Sequence, residues 1–341
     1  MSAPVAKAVK SSGTAADRPA TIRPELAVLG GDPAFPVAAA LRRAGANVLD
    51  AEPPPEGTSD ALAQRYGFGL ASVRAGRLDS LGLMRNLVEE ALTDRQPRHL
   101  FWTQPDGQVI DGFRAAIDPQ GLPDLAAASS YRKAHLAALR RVLTSAPILI
   151  LCLTRTGAMV DPADGSAFPE PPPGTVLPPS ANLAAHAPDP AELDADFATL
   201  HGILQAANPG LRLRVVVKPA GSDPVASRDE ATLRACASGW AGRFPSVSAD
   251  PLFDHLLDRT LHSTSGSGDD SAIFRVLVGL AEGADLAVLL GAGPASAPSP
   301  SPPQLDKAAR RERRKLRQAR RQKSKKDSSV VCEDELLEAF S

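Results

Sequence analysis

Short apolar runs alternate with longer amphipathic segments along residues 24–250. The clearest run is Pro147–Leu153, which is apolar throughout and is followed by Thr154. A strand that is buried on both faces has this pattern. The other predicted strands are 24–29, 47–49 and 211–217. Between the strands, apolar residues recur every three or four positions, which predicts helices at 35–43, 79–93, 124–143, 191–206 and 227–242.

The alternation of strands and helices predicts an α/β fold, a three-layer sandwich around a mainly parallel sheet of about five strands. In such sheets, ligands bind at the carboxyl ends of the strands. The candidate binding residues are therefore those that follow predicted strands: Gly30, Gly31, Asp32, Thr154, Arg155 and Lys218. Arg155 and Lys218 together would suit a carboxylate or phosphate. The alternative is that each pairs with a local acid or reaches solvent.

Composition divides the chain into four segments. Residues 1–22 are small and polar, which predicts a disordered N-terminus. Residues 23–291 carry the α/β pattern. Residues 292–304 are rich in Pro and Ser, as in an extended linker, and residues 305–341 are expected to form a basic helical tail with an acidic C-terminal segment.

Charge is distributed unevenly, although the net charge is only -1. Lys307 to Lys326 contains 12 Lys and Arg residues and one acid, Glu312. This segment predicts contact with a polyanion, either RNA or another anionic surface, without base stacking because it has no aromatic residue. The alternative is a solvated helix. At the C-terminus, Leu336, Leu337 and Phe340 share one helical face, which indicates docking to a protein partner. The alternatives are docking in the domain's own groove and pairing of the C-terminal acids with the basic segment.

Several classes of protein are disfavoured by what the sequence lacks. The three cysteines, Cys152, Cys236 and Cys332, have no metal-binding spacing. No GxGxxG motif accompanies a strand, so we expect no dinucleotide and no other cofactor. An N-terminus without an apolar leader, and the absence of an apolar run of about 18 residues, favour a cytoplasmic protein.

Landmarks in the sequence resemble those of the GSCFA family, a bacterial branch of SGNH-type esterase-like proteins, over roughly residues 24–265. The segment Leu29–Phe35 looks like the opening strand and Gly-Ser-Cys-Phe-Ala turn of that family. Further likenesses are Tyr66-Gly67, Leu151–Thr154, Asp161–Thr175, Asn208–Pro219 and Phe244–Ser246. The resemblance implies an SGNH-like or flavodoxin-like sandwich. It also implies a relative of ester hydrolases or acyltransferases of glycan metabolism, with a glycan ester or another small molecule as ligand.

The sequence departs from the family at the positions where the chemistry would occur. Gly31 stands where the family has its serine, and a hydrolase of this type needs a hydroxyl there, activated by a histidine. Arg155 replaces a glutamate and Lys218 replaces a serine. The closing catalytic pair would be Asp258 and His262. The alternative is that both are solvated loop residues.

These departures predict a catalytically degenerate protein that acts as a binding or regulatory module. One alternative is an active serine ester hydrolase with a displaced nucleophile, Ser222 or Ser246, supported by His262. Another is a polyanion-binding protein that works through its basic tail. The turn at Gly30–Pro33 is also compatible with an ordinary strand-to-helix connection in which Asp32 is the N-cap.

Overall fold

A computed structural model describes residues 25–31, 34–93, 95–219, 223–249 and 254. These residues all belong to the first of two units into which the chain divides, Met1–Gly291 and Ala292–Ser341. The helices are α1 (Ala34–Arg43), α2 (Asp60–Arg65), α3 (Leu81–Leu92), α4 (Leu125–Ser145), α5 (Pro190–Ala207) and α6 (Pro224–Arg243). The strands are β1 (Glu25–Gly30), β2 (Asn47–Val48), β3 (Phe101–Thr103), β4 (Val109–Asp111), β5 (Ile148–Leu153), β6 (Ala158–Asp161), β7 (Ser166–Phe168), β8 (Ala184–His186), β9 (Arg212–Val217) and β10 (Val247–Ala249).

Five strands form a parallel sheet in the order β10-β9-β5-β1-β2. The predicted α/β class and five-stranded parallel sheet are confirmed. Counted in chain order within the sheet, the arrangement is 2-1-3-4-5, the flavodoxin-like order. All six residues of β5 are buried, as its continuous apolar sequence requires at the centre of a covered sheet.

Helices cover both faces of this sheet, because each strand presents alternate apolar side chains to opposite sides. On one face, β1, β5 and β9 pack with α3, α4, α5 and α6 through residues such as Leu87, Leu139 and Trp240. On the other face, Leu26, Val28 and Ile150 of the same sheet pack with α1. The result is a three-layer sandwich.

Two smaller sheets lie outside the predicted pattern. Strands β3 and β4 pair in antiparallel fashion, and β7, β6 and β8 form an antiparallel three-stranded sheet between β5 and α5. These strands are only three or four residues long. Such short segments have too few residues to show an alternation of apolar and polar positions.

A buried ionic network ties α4 to α3 and to the segments after β2 and β4. Arg132 donates to Glu90 at 3.1 Å and to Asp111 at 3.0 Å. Arg114, only 1% exposed, contacts Glu52 at 3.1 Å and Asp118 at 3.1 Å. The buried guanidinium groups therefore each have two carboxylate partners, as desolvated charges need.

His135 belongs to the same network, where it is a structural residue. Its Nδ1 lies 2.8 Å from Oε2 of Glu52 and 2.6 Å from Nη1 of Arg114. Burial lowers the pKa of His135 and favours the neutral ring. Burial by itself would raise the pKa of Glu52, but His135 and Arg114 outweigh it and lower the pKa to about 2.

Candidate functional site

The carboxyl ends of three parallel strands meet at one edge of the sheet, as the sequence predicted. Gly30 at the end of β1 pairs in register with Cys152 of β5, and the Lys218 amide after β9 donates to the Leu153 carbonyl at 3.0 Å. The boundary between β1 and β5 is where the strand order reverses. In open α/β sheets this is the crevice in which ligands bind.

Asp79, just before α3, closes one side of this crevice. The amides of Thr154 and Arg155 both donate to the Asp79 carbonyl at 3.1 Å, and the Thr154 hydroxyl lies 3.3 Å from the same oxygen. The carboxylate of Asp79 is 3.3 Å from Nε of Arg77. The loop before α3 is thus bonded directly to the end of β5, which fixes the position of both.

Gly31, where the resemblance leads one to expect a serine, is buried directly against Asp79. A Cβ at this position would overlap Oδ1 of Asp79. The preceding Gly30 also has a packing role, because a Cβ there would lie 2.8 Å from Cβ of Cys152. Both glycines therefore permit close packing, and the carboxylate of Asp79 occupies the space that a side chain at position 31 would need.

A cavity of about 510 Å³ opens at this edge. Residues of α3, α6 and the small β7-β6-β8 sheet line much of it. Its apolar lining includes Leu83, Met159, Phe168 and Val225, and its polar lining includes Arg77, Asp79, Arg155 and Asp229. Mostly apolar walls with a few placed polar groups are typical of small-molecule sites.

The charged groups of the cavity differ in how they are paired. Asp79 contacts Arg77, and Asp229 accepts from the Thr156 hydroxyl at 2.8 Å and from its amide at 3.3 Å. Among the described residues, the guanidinium of Arg155 has no hydrogen bond and no ion pair, and the side chain is exposed. Glu170 is likewise exposed at the wall.

The N-terminus of α3 adds positive potential to the same edge. Ser80 is its N-cap but makes no side-chain capping bond, and the first turn contains no acidic residue. An uncapped helix N-terminus carries partial positive charge on its free amides. Ser80 also lines an adjoining cavity of about 280 Å³, which shares Thr156 and His186 with the larger one.

The predicted site residues are only partly brought together. Arg155 lines the large cavity, whereas Lys218 is exposed on the neighbouring strand end and is not part of the lining in the described chain. Asp32, Ser222, Asp258 and His262 lie outside the described residues, as do 1–22, Lys307 to Lys326, Leu336, Leu337 and Phe340. Sequence reasoning missed Arg77, Asp79 and Asp229, since nothing local marks them as neighbours of Arg155.

Ser246 does meet an imidazole, but at the opposite edge of the sheet. Its hydroxyl lies 2.8 Å from Nε2 of His201 on α5, while its carbonyl accepts from Leu213 at the start of β9. The His201 ring lies against Phe244, with centroids 4.3 Å apart, and burial lowers its pKa. A neutral imidazole there is able to accept the hydroxyl proton.

Comparisons with protein-family models, with curated proteins and with solved structures find no match for this chain. The GSCFA resemblance therefore stays a hypothesis that rests on the motifs quoted above. Within the described residues, no three His, Cys, Asp or Glu side chains are grouped so as to hold a metal ion. None of the helices in that part of the chain has both the length and the apolar character needed to cross a membrane.

Proposed function

We propose that the protein is a GSCFA-like binding module whose carboxyl-edge cavity recognises the anionic group of a small molecule, such as a glycan ester, without hydrolysing it. The observation that carries this proposal is Arg155, a cation that lines the cavity and has no partner among the described residues. A guanidinium recognises carboxylate or phosphate through paired hydrogen bonds.

Gly31 supports the non-catalytic part of the proposal. Acyl transfer by this type of site requires a hydroxyl next to a base. Residue 31 has no side chain, and the carboxylate of Asp79 fills the space that one would need. A ligand at this edge would therefore be held without a covalent step at position 31.

Binding of three anions to the full chain tests the proposal: acetate, inorganic phosphate and an O-acetylated glucuronate, each measured by titration calorimetry. We expect saturable binding of at least one, weakened about tenfold or more by Arg155→Ala, as for loss of a hydrogen bond to a charged group. The control is Arg141→Ala, an exposed arginine on α4, a helix without residues in either cavity. Unchanged affinity of Arg155→Ala, or failure of these three anions and of longer carboxylates to bind, would overturn the proposal.

A second candidate function is ester hydrolysis with Ser246 as the displaced nucleophile. The hydrogen bond to His201 favours it, because a base beside a hydroxyl is the minimum for nucleophilic catalysis. A fluorophosphonate probe should then label Ser246, and His201→Ala should abolish the labelling. Ser248→Ala, on the following strand, is the control. An unlabelled but folded protein excludes this function.

The basic tail supports a third candidate, polyanion binding. Twelve cationic residues between Lys307 and Lys326 would release many counterions from a nucleic acid. Deletion of 305–341 should abolish retention on heparin at low salt. If the truncated protein and the full chain elute from heparin at the same salt concentration, polyanion binding by the tail is excluded.

A further inference from the structure

The lining of the large cavity contains apolar residues as well as Arg155. Leu83 of α3, Met159 of β6, Phe168 of β7 and Pro169 are among them. Val225 at the start of α6 stands at this cavity 69% exposed. Val225 therefore adds exposed apolar surface to the cavity.

The charged residues of the lining differ in how they are paired. Asp79 is paired with Arg77, and Asp229 keeps its negative charge while its two carboxylate oxygens accept from the hydroxyl and the amide of Thr156. Glu170 and Arg155 are the two exposed ions of the lining that lack such a contact. The uncapped N-terminus of α3 adds positive potential beside Arg155, because its N-cap residue Ser80 forms a β-bridge with Arg155.

We infer that the cavity takes an amphipathic anion, specifically an unbranched aliphatic carboxylate whose head group lies at Arg155 and whose chain lies along Leu83, Met159 and Val225. This rests on the proposed function and names the ligand class. A cavity of about 510 Å³ has room for a chain of several methylenes. The apolar wall then contributes affinity in proportion to the chain surface that it covers.

A chain-length series tests this with the full-length protein: acetate, butanoate, hexanoate and octanoate, titrated by calorimetry at about pH 7.5, where all four are ionised. We expect affinity to rise about fourfold per added methylene, the fold-change equivalent to ~0.8 kcal/mol. Arg155→Ala should weaken every member by a similar factor. n-Octylamine, which has the same chain with the opposite charge, should not bind.

Two matched variants test the contribution of the apolar wall to affinity independently of the anion site. Val225→Ser should weaken octanoate about fivefold or more and leave acetate unchanged. Val176→Ser, at a valine that is 61% exposed but outside the lining, should change neither affinity.

The outcomes distinguish the inference from the proposed function. Arg155-dependent binding of acetate or phosphate without any gain from chain length would overturn the inference and leave the proposed function standing. Binding of octylamine as tight as that of octanoate would also overturn it. Failure of every anion would remove both.

Discussion

The arginines in two regions of this molecule differ in burial and in pairing. In the buried network, Arg114 and Arg132 are almost fully enclosed and each contacts two carboxylates. At the carboxyl edge of the sheet, Arg155 is exposed and has no partner among the described residues. A buried charge must be paired inside the protein, whereas an exposed one keeps its water until a ligand replaces it.

The buried network arginines therefore stabilise the fold, whereas Arg155 is available for binding. Loss of a network arginine leaves carboxylates buried without a cation. Loss of Arg155 removes only a solvated side chain. Stability and ligand binding should therefore respond to different arginines.

The largest effect on stability is expected for Arg132→Ala. It leaves Glu90 and Asp111 buried without their cation, and breaking such a pair costs about 3–5 kcal/mol. Denaturant unfolding of the full chain measures this. Arg141→Ala on the same helix is exposed and should stay within about 0.5 kcal/mol of wild type. Equal effects of the two variants would contradict the distinction between paired and solvated arginines.

Glu52→Gln should lower stability in a pH-dependent way. The pKa of Glu52 is lowered from 4.5 to about 2 in the folded state, so its ionised form stabilises the fold above about pH 4.5, by about 3 kcal/mol. That contribution is lost as pH falls from 4.5 towards 2. The gap between wild type and variant in unfolding free energy should close over this range. A gap that is constant with pH would show that Glu52 does not act through its charge.

Gly31→Ala should destabilise the protein by about 1–3 kcal/mol, the usual cost of overpacking. The added Cβ would overlap Oδ1 of Asp79. In an Asp79→Ala background the same change should cost at least about 1 kcal/mol less, since contacting residues show coupling energies of this size. A double-mutant cycle by urea unfolding measures the coupling. Additive effects would show that Asp79 does not occupy the space beside Gly31.

Arg155→Ala should have the smallest effect on stability, within about 0.5 kcal/mol of wild type. Its effect on binding should be large, as proposed above. The same protein sample can be assayed by unfolding and by calorimetry with octanoate. A marked loss of stability would show that Arg155 stabilises the fold as the network arginines do.

The sequence indicated the central sheet well and the site only partly. The apolar run at 147–153 and the strand at 211–217 lie within one residue of β5 and β9, because central parallel strands are apolar on both faces. Arg155 could be proposed from its place after a strand. Arg77 and Asp229 could not be proposed in this way. They lie in a loop and in α6, and no local sequence pattern indicates that these segments line the same cavity as Arg155.

The amino-acid sequence by itself determined the α/β class, the parallel sheet and the absence of a hydroxyl at Gly31, since periodicity and residue identity are local properties. Only the tertiary structure decided that Asp79 fills the space beside Gly31, that Ser246 meets His201, and that Arg155 alone of the two predicted cations lines the described cavity. Each of these facts is a contact between residues that are far apart in the chain. Such contacts are determined by the packing of the helices and strands and not by local sequence.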